Sequence, residues 1–162
     1  MFELSREVRV AAPPPAVWRV VTDLAGYRAW TKVVFVGGEP RVGAAITYQI
    51  AGRMRSGVQR AIRHEGTVKM VEADRDLVWT SGIPGLMGLR FGFALRPAGG
   101  ATAVRHYLQL SGLAAFLFRG RLTRLYGPVL GIVTEDLARF MAKTRAASFR
   151  IAPDIRRRKR KT

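Results

Sequence analysis

The chain contains two histidines, His64 and His106, and no cysteine. These two imidazoles are the side chains whose ordinary pKa lets them exchange protons near neutral pH. His64 lies in AIRHEGTVKMVEA (61–73) and His106 in ATAVRHYLQLSG (101–112). Both segments alternate in the manner of half-buried strands. Ile62, His64, Val68 and Met70 share one face of the first. Val104, His106, Leu108 and Leu110 share one face of the second, with Arg105, Tyr107 and Gln109 opposite. An imidazole on an apolar face can orient a ligand carbonyl or hydroxyl, or act as a general base. The plainer alternative is a hydrogen-bonded structural histidine, or a ring turned outward by a register slip of one residue. Two strand-like segments separate the histidines. The rings are therefore not expected to touch, but they would reach one ligand from different sides.

Other chemistries find little support. Zinc needs three or four ligands, and neither cysteine nor a His-x-x-x-His spacing is present, so no metal site and no cofactor is expected. A G-x-S-x-G nucleophile motif is absent. Asp74-Arg75-Asp76 reads as a hairpin turn and Glu135-Asp136 as a solvated helix face. Glu72 is the one acid that the alternation places on an inward face. The glycine-rich pieces lack a phosphate-loop lysine and helix. SGIPGLMGLRFGF (81–93) reads either as an apolar lip over a cavity mouth or as a plain hairpin.

The elements that must hold these residues follow from periodicity. FELSREVRV (2–10) is strand-like, with Arg6 as the charged exception on its apolar face. Pro13, Pro14 and Pro15 end it, because proline donates nothing to a sheet ladder and suits a first helical turn. Val17, Trp18, Val20 and Val21 then fall at helical spacing, and LAGYRAW (24–30) reads as a second short helix. Trp18 and Trp30 would hold this corner against the core. Strands follow at 32–38, 43–52, 61–73, 76–82, 89–97 and 101–112, with PAGG (97–100) as a hairpin turn. Seven antiparallel strands with one apolar face need a cover. Leu122, Leu125, Val129, Val133, Leu137, Phe140 and Met141 supply it at helical spacing, and Gly127-Pro128 predicts a kink or break there.

Composition bounds the rest. A chain of 162 residues that is 48% hydrophobic forms one globular domain with a substantial core. The lack of cysteine, and of an apolar leader in MFELSREVRV, fits a cytoplasmic protein. LAAFLF (113–118) is too short to span a bilayer. The net charge is +17, of which the tail 150–162 supplies +6. Such an excess fits an anionic partner. A GC-rich genome would also produce it, since Arg outnumbers Lys 23 to 5. The tail is expected to be disordered and to make transient contact with anionic membrane, with LAAFLF, Arg119 and Arg121 as a docking edge. Nucleic acid is a weaker prospect, since no aromatics are interleaved with the basic run.

The order of elements resembles the START-like, or SRPBCC, superfamily, in its polyketide cyclase/dehydrase-like branch. The pieces that carry the likeness are RVAAPPPAVWRVVTDLAGYRAW, RVGAAITYQI, GTVKMVEADRDLVWTSG and LRFGFALRPAGGATAVRHYLQLSG, over roughly residues 2–145. The resemblance implies an α+β helix-grip domain, 1–149, followed by the basic tail 150–162. In that fold a curved seven-stranded antiparallel sheet wraps a long C-terminal helix, with two short helices after the first strand and a cavity between sheet and helix. Trp30, Tyr48, His64, Trp79, Phe91, Phe93, His106, Leu125 and Val129 are expected to line the cavity. The implied function is binding of a small hydrophobic molecule such as a lipid, polyketide or aromatic metabolite. Two alternatives stand beside it: a cyclase or dehydratase using His64 or His106, and a basic module for anionic membrane or nucleic acid.

Overall fold

The computed structural model describes the backbone of residues 1–53 and 59–158, and the side chains of 1–51 and 62–147. Strand β1 (Phe2–Val10) leads into α1 (Pro14–Thr22) and α2 (Tyr27–Trp30). Strands β2 (Val34–Gly38), β3 (Ala45–Arg53), β4 (Gln59–Glu72), β5 (Asp76–Ile83), β6 (Met87–Ala98) and β7 (Ala101–Ser111) follow. Helices α3 (Leu113–Leu117) and α4 (Arg119–Arg158) complete the order. The backbone of 150–158, the first part of the expected tail, continues α4, and 159–162 lie outside the described residues. The sheet is antiparallel throughout, in the order β1-β7-β6-β5-β4-β3-β2. It curls as a half-barrel whose concave face is covered by α4. This is the helix-grip architecture expected from the sequence.

The proline corner works as its chemistry requires. Pro13 caps α1 in an extended conformation, and prolines occupy the first helical positions. Val17 and Val21 of α1 are buried, as are Tyr27 and Trp30 of α2. The Tyr27 hydroxyl donates to the Val21 carbonyl at 2.9 Å, which pins α2 back on α1. The Thr31 hydroxyl donates to Asp136 Oδ2 at 2.9 Å, which ties the end of α2 to α4.

Several details depart from the sequence pattern. The ladder between β4 and β5 pairs Val68 with Trp79 but Met70 with Val78, so a β-bulge interrupts β4 at Lys69. A bulge reverses the alternation beyond it. Val71, not Met70, therefore packs against the core. Glu72 turns outward to an ion pair with Arg75 at 3.9 Å, so it is not an inward acid. The second departure is in α4, which stays helical through Gly127 and Pro128. Pro128 is exposed there. Water can serve the carbonyl one turn earlier that proline leaves without a donor.

The face of α4 turned to the sheet carries Tyr126, Leu130, Val133, Thr134, Leu137 and Met141, all buried. These residues are spaced by one turn. The register differs from the expected stripe by one residue over its first two turns. Leu125 is 39% exposed, so its expected place facing the sheet falls to Tyr126 instead. Val129 is half-buried against the core, while Leu130 beside it is buried.

Candidate functional site

The concave face of the sheet holds a continuous run of aromatic rings. Its placement follows from ladder register. His106 on β7 lies opposite Phe93 on β6, Phe91 on β6 opposite Trp79 on β5, and Tyr48 on β3 opposite His64 on β4. The His106 and Phe93 rings stack at 4.2 Å, 2° from parallel. Phe93 approaches Trp79 at 6.3 Å, and Trp79 stacks on Phe91 at 5.8 Å. Phe91 then meets Tyr48 at 4.6 Å and His64 at 5.9 Å. Six of the expected site residues thus form one belt. His106 stands at one end of it and His64 beside Tyr48 near the other, with two strands between the histidines, which are not in contact.

Trp30 is placed differently. Its ring packs on Tyr27 at 4.6 Å, and it lines a separate cleft of about 390 Å³ with Asp136, Arg139 and Phe140 of α4. The cleft lies beside the grip of α2 on α4.

The two histidines have unlike surroundings. His106 is wholly buried, and neither ring nitrogen has a hydrogen-bond partner. The Leu130 carbonyl of α4 weakly favours the protonated ring without reaching hydrogen-bond geometry, but burial dominates and lowers the His106 pKa to about 3. The ring is therefore neutral at physiological pH. His64 is half-buried, and burial lowers its pKa as well. Its Nε2 lies 2.8 Å from the Tyr126 hydroxyl of α4. Burial raises the Tyr126 pKa to about 12, so the phenol keeps its proton. The pair is a neutral phenol–imidazole dyad that bridges sheet and helix.

Tyr126 is the site residue that the helical stripe missed. The signal was present in the run Tyr126, Leu130, Val133, Leu137, Met141, which keeps helical spacing as well as the run through Leu125 and Val129.

Buried polar atoms ordinarily find partners. Among the described residues, four buried side-chain atoms have none: Trp30 Nε1, Trp79 Nε1 and both nitrogens of His106. Three of the four belong to the belt. An indole N–H donates only, while a neutral imidazole has one donor and one acceptor. The belt is thus a buried, mostly apolar layer of the core with polar valences left open. Among the described residues no three His, Cys, Asp or Glu gather as metal ligands, and no helix is long and apolar enough to cross a membrane.

Comparison with known proteins agrees with this geometry. The profile of a family described as "Polyketide cyclase / dehydrase and lipid transport" matches residues 1–150. Among solved structures, TTHA0849 from Thermus thermophilus is similar with a TM-score of 0.64 at 18% identity, over 88% of this chain and 99% of that one. NE0264 from Nitrosomonas europaea gives 0.65 at 16% identity, over 89% and 96%. CalU16 from Micromonospora echinospora gives 0.59 at 17% identity, over 96% and 79%. No curated protein sequence matches the chain.

Proposed function

The chain belongs to the polyketide cyclase/dehydrase and lipid transport family, and from that premise we propose that it binds a small, largely apolar molecule between the aromatic belt and α4. The observation that carries the proposal is the set of open valences on Trp79 and His106 within an otherwise apolar, buried layer. Leaving a buried donor or acceptor unpaired costs about 1–3 kcal/mol. A ligand that brings a carbonyl or hydroxyl to these atoms recovers that energy, and its apolar body adds roughly 25 cal/mol for each Å² removed from water. The ligand class that fits is therefore an apolar skeleton with one or two oxygen functions. A lipid, a polyketide and an aromatic metabolite all meet that description. The belt residues Tyr48, Phe91 and Phe93 would supply contact area, and His106 would set orientation.

A second reading rests on the 2.8 Å contact between His64 and Tyr126. A half-buried imidazole paired with a protonated phenol can pass a proton to or from a bound carbonyl compound. On that reading the protein is a cyclase- or dehydratase-type enzyme, and the dyad rather than the sealed His106 moves the proton.

The test is native mass spectrometry of the purified protein, followed by organic extraction of what it carries. A discrete adduct, displaced by apolar probes, is the expected result. A clean protein mass together with no binding of any apolar probe would remove the proposal. His64→Ala and Tyr126→Phe separate the two readings. Under the enzymatic one, turnover collapses while ligand affinity stays nearly unchanged.

A further inference from the structure

Among the described residues ten large apolar side chains are exposed, and six of them come from two short segments: Ile83 and Leu86, and Leu113, Phe116, Leu117 and Phe118. The segments are neighbours. The hairpin between β5 and β6 lies against α3, with the Ala114 amide donating to the Leu86 carbonyl at 3.2 Å. Phe116 is the most exposed of the six, at 77%. Isolated exposed apolar residues need no explanation, but a contiguous set at one end of a molecule does.

The charge around this end is mainly positive. From residue 77 to residue 134 the chain has no Asp or Glu and six Arg. Arg119, Arg121 and Arg124 follow α3 directly and are exposed. The Arg119 guanidinium lies 5.1 Å from the Phe2 ring, which holds it beside the apolar end. One acid, Glu65, lines the cleft along the hairpin, and it is paired with Arg63 at 3.2 Å.

We propose that this end, the β5–β6 hairpin tip with α3, docks on the surface of an anionic lipid bilayer. An apolar cap flanked by Arg119, Arg121 and Arg124 matches both layers of such a surface: the cap enters the headgroup–acyl boundary and the guanidinium groups meet phosphates. A nucleic acid would satisfy the arginines but leave Ile83, Leu86, Leu113 and Leu117 in water. A second copy of the chain would bring the same arginines together and be repelled. The inference does not depend on the ligand reading, although a bilayer is where an apolar ligand would be collected.

The experiment is co-sedimentation of the full chain with phosphatidylcholine vesicles, alone or with about a third phosphatidylglycerol. Strong binding to the mixed vesicles and weak binding to phosphatidylcholine is expected. The double variant Phe116→Ser/Leu117→Ser should lose about 10-fold or more in partitioning. Its circular dichroism and its bound apolar adduct should stay unchanged, which keeps this test separate from that of the ligand site. Phe116→Trp should give blue-shifted indole emission on mixed vesicles. Undiminished binding by the double variant would overturn the proposal. So would loss of binding only on substituting Arg156, Arg157 and Arg158 of the tail, or a lipid-free dimer that the double variant abolishes.

Discussion

At the scale of single residues, His106 is the most informative side chain. An imidazole in an apolar layer with two open valences is a liability in the free protein. His106→Leu removes those valences at similar volume, so the ligand-free variant should be as stable as the parent or up to ~1 kcal/mol more stable in urea unfolding. A loss of several kcal/mol would mean that the ring has a partner on which the fold depends. The same group governs acid sensitivity. Its folded pKa, about 3, lies below its unfolded value, so below pH ~6.5 the unfolded chain takes up a proton that the folded one refuses. Stability is full above that pH and falls as pH drops toward 3, by up to ~1.4 kcal/mol per unit from this residue. His64 acts in the same direction. The slope between pH 6 and pH 4 should flatten in His106→Leu; an unaltered slope would assign the acid sensitivity elsewhere. Much of this site was legible in the sequence, because strand alternation puts Tyr48, His64, Trp79, Phe91, Phe93 and His106 on one face. Tyr126 was not. A helix turns about 100° per residue, and two apolar runs one position apart fit the α4 sequence equally well until packing selects one.

At the scale of elements, glycines report how tightly the strands are drawn together. A Cβ at Gly66 would run into the Thr80 carbonyl of the neighbouring strand, so Gly66→Ala must push β4 and β5 apart. A loss of about 1–3 kcal/mol is expected from that overpacking. At Gly37 a Cβ meets nothing within 4 Å, and Gly37→Ala should be neutral or slightly stabilising. Equal thermal melting of the two variants would contradict the close approach at Gly66. The helix offers a second test. Pro128 sits in continuous helix on the exposed side, where proline costs about 3 kcal/mol relative to alanine. Pro128→Ala should therefore raise the melting temperature. A lower one would show that proline at this turn is needed to seat Tyr126 and Leu130. These elements also mark what the sequence could and could not reveal. Seven strands and two short helices follow from period and punctuation, since prolines and glycines interrupt the runs. The bulge at Lys69 does not, because Met70 and Val71 are both apolar and either can face inward. Only the pairing of Val68 with Trp79 and of Met70 with Val78 decides it. The continuity of α4 through Gly127-Pro128 was likewise hidden, because it depends on the exposure of that turn.

At the scale of the whole molecule, charge is the dominant unbalanced quantity. The chain has 28 basic and 11 acidic residues. The ion pairs of the described residues, such as Arg63–Glu65, Arg96–Asp76, Arg105–Glu3 and Arg139–Asp136, lie at the surface. Such pairs contribute about 0–1 kcal/mol each and weaken with salt. The repulsion among the remaining positive charges weakens with salt too, and it acts over the whole surface. With a net charge of +17, the second effect should exceed the first. The urea midpoint is therefore expected to rise between ~20 mM and ~500 mM sodium chloride, where the screening length shrinks from about 20 Å to a few Å. Chloride is the proper anion, because sulfate would also strengthen apolar burial by exclusion from the surface. A midpoint that falls with salt would mean that the ion pairs outweigh the excess charge. A rising midpoint carries a consequence for the docking end. A molecule relieved by counter-ions in solution is relieved equally by an anionic surface, so its affinity for such a surface should fall over the same range of salt that stabilises the free fold. Coincidence of the two salt dependences, one read by unfolding and the other by vesicle co-sedimentation, would trace both to one positive field.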